Sequence, residues 1–583
     1  MAVLAARAQR IAPDFELPAP IAVYSDEPAP GAGPSASSPS EDRALGNLDQ
    51  LVRLKKSDLH IDYDLLDVSQ ITSDGLHPSG GKSAWPNGPD TWIARCRAAQ
   101  IHPGLRFGAS ALRPGGGGPV FFDDKLLVDF VAALQSWYDR GIRLFVFDGL
   151  DLSGLPSENA AGLTNDEIIT RNAEALRTAF SSFRAKNRGA VLFVIQSPGT
   201  ISDAPSNRPS GSIPSASDPN SGNQANRLGP FLLISTGPPH PPAMPQTNLQ
   251  RATDIETDAQ VSHLEQRGVS LAHIFSAGFN TAPAPAGVTS PGATSLPRGP
   301  HRGWKGAFLV SMARGGWVNT ISGGLDSMQS ADARWMARVQ KLFFAMQAQG
   351  HMHSFGDPPT SGQPYGFAGA TKRGVVYVVV NSGQAVATLP LPRLAPNQPA
   401  GYGRVQFRDA GFSPELNGNN LTLGPGQMAM VGFGVFATQE FNFGVEQDVV
   451  IPRSIEPVDA NFHLAAPGVL EARIDPPIEG VLRIVVLERE PGSIAQAGAA
   501  GSVPAASRNN RFTLEMTQGG RPIPLRSGGS GRDGESILNA GLPWAVAEID
   551  VNDLTPGIPL RVRFRCNEKP AVTLEGSAYQ VIY

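Results

Sequence analysis

The chain has 583 residues, which at about 150 residues per domain is too long for one core and suggests three or four units. Its 48 basic and 52 acidic side chains leave a formal net charge of −4, with a pI near 6.2, which excludes a general pull toward nucleic acid or an anionic membrane. Apolar residues at 41% and charged residues at 17% describe a globular chain, and no run approaches the ~18 apolar residues of a membrane span.

The 64 glycines and 52 prolines predict many loops. Cys96 and Cys566 lie at opposite ends of the chain, which argues against a disulfide framework or a thiolate metal site. The start, MAVLAARAQRIAPDFELPAP, lacks a continuous apolar segment and makes a poor signal peptide. The expectation is a cytoplasmic protein, or an exported one whose signal is not in this sequence.

Residues 1–20 read as an extension, and IAVYSD (21–26) is the first strand. The Pro/Ser/Gly-rich stretch 27–43 is a loop, and apolar spacing predicts a helix over 44–56. HIDYDLLDV (60–68) is a strand, 89–99 a helix opened by Pro89 and Asp90, and LRFGASAL (105–112) a strand. A helix over 123–141 has an acidic start and a Gly stop, and RLFVFDGLDL (143–152) supplies a buried strand over 143–149. The helix 164–189 opens with Thr164 as N-cap and Glu167 placed for a capping box. Strands follow at 190–197 and 231–237, separated by a Ser/Pro/Asn-rich insert at 198–227 that is longer than an ordinary loop. A helix covers about 247–267, then a strand 271–278, a second insert 281–300, a helix 304–316, a strand 318–324 and a long amphipathic helix 330–350.

Eight apolar strands alternating with helices predict parallel β and βαβ units. The count favours a (β/α)₈ TIM barrel over 21–355, with an open doubly wound sheet as the competing solution. After about 356 the period changes to short strands and turns. This predicts C-terminal antiparallel β-sandwich domains, one over 356–438 and a second over 439–583.

Barrels place their chemistry at the C-terminal ends of the strands. That rule selects Asp26 after strand one, Asp67 at the end of strand two, Asp148 and Asp151 around strand four, Gln196 on strand five, Thr236 on strand six and Asp326 after strand eight. His77, Trp85, Asn87 and His240 fall in the loops above. Carboxylates and aromatics over a barrel mouth suit sugar chemistry. One carboxyl serves as acid and another as nucleophile or base, and aromatic faces receive the apolar face of a pyranose.

Other patterns carry less. His351 and His353 flank Met352 too closely for a converging metal pair, and no metal site is expected. Gly115–Gly118 lacks the following Lys-Ser/Thr of a phosphate loop, so no cofactor is implied. Trp335, Phe343 and Phe344 sit at helical spacing and read as core. Each site residue also has a plainer reading: Asp148 as a turn cap, Trp85 as loop packing, His240 as a surface residue.

Four segments resemble the α-galactosidase (melibiase) clan of glycoside hydrolases: DYDLLDVSQITSDG (62–75), WPNGPDTWIARCRAAQIHPGLRFGASA (85–111), GIRLFVFDGLDL (141–152) and WKGAFLVSMARGGWVNTISGGLD (304–326). With the β-sandwich after the barrel, the resemblance covers about 21–437. It implies an α-linked, galactoside-like substrate and retention of configuration. Asp148 would be the nucleophile, and Asp67, with Asp26, would bind substrate hydroxyls. Trp85, Asp151, Gln196, Thr236 and His240 complete the expected substrate contacts.

Two departures stand out. The clan's Lys two positions before the nucleophile is Val146 here, and its strand-six acid has no counterpart in FLLISTGPPHPP, which offers Thr236, Gly237 and His240. General acid catalysis is worth roughly 10²–10⁴-fold, so a carboxyl from the inserts would have to replace it, Asp203 and Asp254 being the nearest in sequence. Two function classes therefore stand side by side: a retaining α-glycosidase, and a non-catalytic carbohydrate-binding or scaffold protein that kept the fold. A different barrel chemistry on the same face is a weaker third. The expected partner is a carbohydrate, with no nucleic acid and no membrane, and oligomerisation is left open.

Overall fold

A computed structural model describes residues 19–25, 40–72, 76–78, 85–108, 121–148, 150, 152, 163–196, 231–235, 248–266, 269–276, 278–280, 304–323, 325, 328–348, 352–383, 385–394, 402–452, 454–489, 512–523, 537–538, 544–566 and 573–582. The chain divides into two units: 1–238 with 269–282 and 315–350, and 239–268 with 283–314 and 351–583.

The first unit is built on parallel strands: β1 (Ile21–Ser25), β2 (Tyr63–Asp67), β3 (His102–Gly108), β4 (Leu144–Asp148), β5 (Val191–Gln196), β6 (Leu232–Ser235), β7 (Ile274–Phe275), β8 (Phe279–Asn280) and β9 (Val318–Ser322). Their order in the sheet is β7-β6-β5-β4-β3-β2-β1-β9-β8. β7 and β8 are two halves of one interrupted strand, and this closes the barrel. Ile274 and Phe275 pair with Ile234 and Ser235 of β6, while Phe279 and Asn280 pair with Ile321 and Ser322 of β9. The eight strand positions thus form a (β/α)₈ barrel, and the open-sheet alternative is set aside.

Sequence periodicity expects one strand over 271–278, but the chain makes a 3₁₀ turn at Leu271–His273 and breaks before Gly278. The break has a steric cause. A Cβ at Gly278 would lie 2.0 Å from the Thr320 carbonyl oxygen, and the Gly278 N–H donates to Thr320 Oγ1 at 2.9 Å. The chain therefore approaches β9 too closely for any side chain at that point.

The helices of this unit are α1 (Glu41–Lys55), α2 (Val68–Ile71), α3 (Asp90–Ala98), α4 (Asp124–Arg140), α5 (Asn165–Lys186) and, after the second-unit helices α6 (Asn248–Gln266) and α7 (Trp304–Ala313), α8 (Ser330–Gln347). Their starts follow sequence logic. Ser40 caps α1, Asp123 caps α4 through the Lys125 and Leu126 N–H groups, and Thr164 with Glu167 makes the expected capping box on α5.

Strand alternation sorts the barrel into an inner and an outer layer. Ile21, Val23, Tyr63, Leu65, Leu144, Val146, Phe193, Ile195, Leu233 and Val318 form one buried cluster, which fills the barrel. Gly104 of β3 belongs to the same layer, since a Cβ there would stand 3.0 Å from Leu144 Cβ and 3.2 Å from Leu65 Cδ1. The outer faces of β3 and β4 carry a phenylalanine layer. Phe107 stacks on Phe147 at 5.1 Å, Phe147 on Phe180 at 5.3 Å, and Phe145 meets Phe183 edge-on at 5.7 Å. On β2 the outward Asp64 is 1% exposed, and its Oδ2 accepts from Trp92 Nε1 of α3 at 2.8 Å. Cys96 is buried beside it. Burial first, and then the Asp64 carboxylate, pushes the thiol well above its ordinary range and keeps it unreactive.

In the second unit, β10 (Met352–Gly356), β11 (Pro364–Thr371), β12 (Gly374–Asn381), β14 (Gly403–Gly411), β17 (Met428–Gly434) and β18 (Gly444–Ile451) make one sheet, and β13 (Ala387–Pro390), β15 (Glu415–Asn417) and β16 (Asn420–Leu423) make another. Ala368, Val375, Tyr377, Val379, Leu421, Leu423, Val431 and Phe433 form the core between them. Asp258 of α6 is fully buried, accepting from Arg314 Nε at 2.7 Å and Tyr365 Oη at 2.5 Å. This triad ties α6 and the residue just past α7 to β11. β18 pairs with β14, so the strand at 444–451 belongs to this sandwich. A second sandwich of two five-stranded sheets begins at Ser454, around a core that includes Leu482, Ile484, Ile549, Val562 and Phe564. Among the described residues no helix is long and apolar enough to cross a membrane.

Candidate active site

The inner layer leads directly to the C-terminal mouth. On β4 the inward residues are Leu144, Val146 and then Asp148; on β2 they are Tyr63, Leu65 and then Asp67. β3, between them, presents Gly104 and then Arg106. Asp67 is the Cα partner of Arg106, and Asp148 that of Gly108. Three neighbouring strands therefore deliver a carboxylate, a guanidinium and a carboxylate to one end of the barrel.

Arg106 Nη2 donates to Asp148 Oδ2. The two side chains are 27% and 30% exposed. At that exposure an ion pair adds about 0–1 kcal/mol to stability, so the pair contributes little to holding the fold. Chemically, it fixes the orientation of the carboxylate. Among the described residues Arg106 is the group that holds Asp148, and it does so through one oxygen. Val146, the position of the clan's Lys, is 5% exposed and packs within the barrel core below Asp148.

The other expected site residues divide. Asp67 reaches the mouth, but its Oδ1 accepts from the Ser69 N–H at 2.8 Å and caps α2. Trp85 is 2% exposed, so the open aromatic face expected of it is absent: the ring is packed. Its neighbour Asn87 donates through N and Nδ2 to the buried Glu41, which ties this loop to the start of α1. His77 lies 3.6 Å from the largely exposed Asp129. Gln196 ends β5, with its side chain outside those described. Asp26, Asp151, Thr236, His240, Asp203 and Asp326 lie outside the described residues, as does the side chain of Asp254 on α6.

Sequence reasoning named no residue on strand three and so missed Arg106. The available signal was the alternation Gly104, Arg106, Gly108, which sets a lone charged side chain among glycines on the inner face. His353 Nδ1 lies 3.3 Å from Glu265 Oε1, and among the described residues no group of His, Cys, Asp or Glu is arranged to hold a metal.

No protein-family model matches the chain, and neither does any curated protein sequence. Solved structures that it resembles include glycoside hydrolases. The α-galactosidase I of Mortierella vinacea is 12% identical with a TM-score of 0.42, over 72% of this chain and 98% of that one. The α-galactosidase of Saccharomyces cerevisiae is 12% identical with a TM-score of 0.38, over 65% and 78%. The trehalose-6-phosphate hydrolase of Bacillus licheniformis is 8% identical with a TM-score of 0.42, over 72% and 99%. At these identities and scores no activity carries across, and the barrel stands on its own strand order.

Proposed function

We propose that the barrel mouth binds an α-linked, galactoside-like sugar and that Asp148 is the nucleophile of a retaining hydrolysis. The observation that carries this reading is the inward carboxylate at the C-terminal end of β4, held through Oδ2 by Arg106. With Oδ2 engaged, Oδ1 attacks the anomeric carbon as the glycosidic C–O bond breaks. The aglycone oxygen leaves with a proton from an acid, and water then releases the sugar from the Asp148 ester. The donor of that proton is unassigned, because the strand-six position carries no acid.

A non-catalytic carbohydrate-binding role is the second reading. Val146 in place of a cation and Thr236 in place of an acid favour it. A substrate with a departing dinitrophenolate separates the two, because that leaving group needs no proton. On 2,4-dinitrophenyl α-galactoside the retaining reading expects turnover with the α-anomer as first product, and a fall of roughly 10³-fold or more in Asp148→Asn. An Asp148→Asn protein as fast as wild type removes the nucleophile role. A wild type that binds the glycoside without turning it over supports the second reading.

A further inference from the structure

We infer that Arg106 is a positioning residue for Asp148, acting chiefly as counter-ion when the carboxylate departs from the sugar. This rests on the nucleophile reading above. The geometry is specific. Arg106 stands on the strand beside β4, and its Cα partner there is Val146, one inward position below Asp148. Gly104 leaves no side chain beneath it on β3, and Gly108 leaves none above it. The guanidinium is thus the inward polar group that β3 places at the mouth, and it meets Asp148 at Oδ2.

The charge balance gives Arg106 unequal work in the two halves of the reaction. In the first half Oδ1 forms the bond to the anomeric carbon, the aglycone takes the electron pair, and the carboxylate charge disappears into an ester. In the second half water attacks the anomeric carbon and loses a proton to solvent or buffer. The C–Oδ1 bond breaks with its electrons going to Asp148, and the carboxylate charge returns. A guanidinium at Oδ2 stabilises that returning charge and holds the freed oxygen in line for the next cycle. Its loss therefore slows release of the sugar more than its attachment.

The test compares wild type, Arg106→Met and Arg106→Lys on 2,4-dinitrophenyl α-galactoside, whose good leaving group speeds attachment relative to sugar release. Expected for Arg106→Met is a fall in kcat of roughly 10–10²-fold. KM should fall with it, and mass spectrometry of the quenched enzyme should find the glycosyl ester on the peptide holding Asp148. Arg106→Lys restores part of kcat, because it keeps the charge but not the planar fork. Should Arg106→Met fail to fold by circular dichroism, the Lys variant carries the same comparison with a smaller drop. A working wild type whose Arg106→Met variant keeps its kcat, or raises KM alone, overturns this inference and leaves the nucleophile in place. A wild type without turnover overturns the nucleophile reading and this inference with it.

Discussion

Replacing Gly278 by Ala tests whether the barrel closes at the interrupted strand. The new methyl carbon would sit 2.0 Å from the Thr320 carbonyl oxygen, whereas ordinary contact begins at 3.4 Å. The shortfall is 1.4 Å (3.4 − 2.0), and the obstacle is backbone, so β8 and β9 must part. Overpacking of this kind costs about 1–3 kcal/mol, and the Gly278 N–H bond to Thr320 Oγ1 adds about 0.5–1.5 kcal/mol when lost. The sum is about 1.5–4.5 kcal/mol. Gly108→Ala is the matched control, because a Cβ there meets nothing within 4 Å. Urea unfolding followed by tryptophan fluorescence reports the barrel segment, since six of the seven tryptophans lie between residues 85 and 335. The chain has several cores, so the midpoint of the fluorescence transition is the quantity to compare. Gly278→Ala should move it well below both wild type and Gly108→Ala. Equal midpoints for the two alanine variants would refute the argument that the seam is closed by backbone contact.

The Asp258 triad and Tyr63 give two further expectations. Asp258→Ala leaves the Arg314 guanidinium, only 4% exposed, without its carboxylate and should destabilise the second unit by about 3–5 kcal/mol. Tyr365→Phe removes one hydrogen bond to the same carboxylate and should cost about 1–3 kcal/mol. Thermal unfolding checks the order of the two, and a larger loss for Tyr365→Phe would contradict the triad. Tyr63, inside the barrel, is pushed up to about 12 by burial first and by the Asp62 charge second, against an opposing pull from Arg143. A folded value above the ordinary 10 means that its contribution is whole below pH 10 and is lost between about pH 10 and 12, on the order of 3 kcal/mol in all. Tyr63→Phe should flatten that part of the stability profile, and an unchanged alkaline slope in urea titrations would count against it.

Much of the barrel was legible because its strands are apolar runs and its helices carry caps. Thr164, Glu167 and Asp123 sit where local chemistry predicts a helix start, whereas Asp67 caps a helix of one turn at residues the sequence reads as strand end and loop. Strand three is predicted at 105–112 but runs His102–Gly108. Its inward positions are Gly104, Arg106 and Gly108, so hydrophobic alternation gives no edge to read. The interrupted seventh strand is hidden for another reason: the break is set by the approach of Thr320, 42 residues away in sequence. Asp148 and Asp67 lie at the strand ends where counting strands placed them. The Arg106 partnership is a cross-strand contact that only register discloses. Trp85 was ambiguous because tryptophan suits both a sugar platform and a core.

The phenylalanine layer behind β4 has a consequence for motion. Phe145 and Phe147 point away from Asp148 on the same strand, and they are locked among Phe107, Phe130, Phe180 and Phe183 at centroid distances of 5.1–6.4 Å. Turning any of these rings requires its neighbours to yield together, so their flips should be slow and the β4 amides among the last to exchange with solvent. The strand that carries the carboxylate is held from behind like a blade in a vice. Local adjustment at this end of the strand then falls to the rotamers of Asp148 and Arg106. A cavity opened among the rings would be felt at the barrel mouth as a displaced carboxylate, although every ring of the layer lies on the far side of the strand from Asp148.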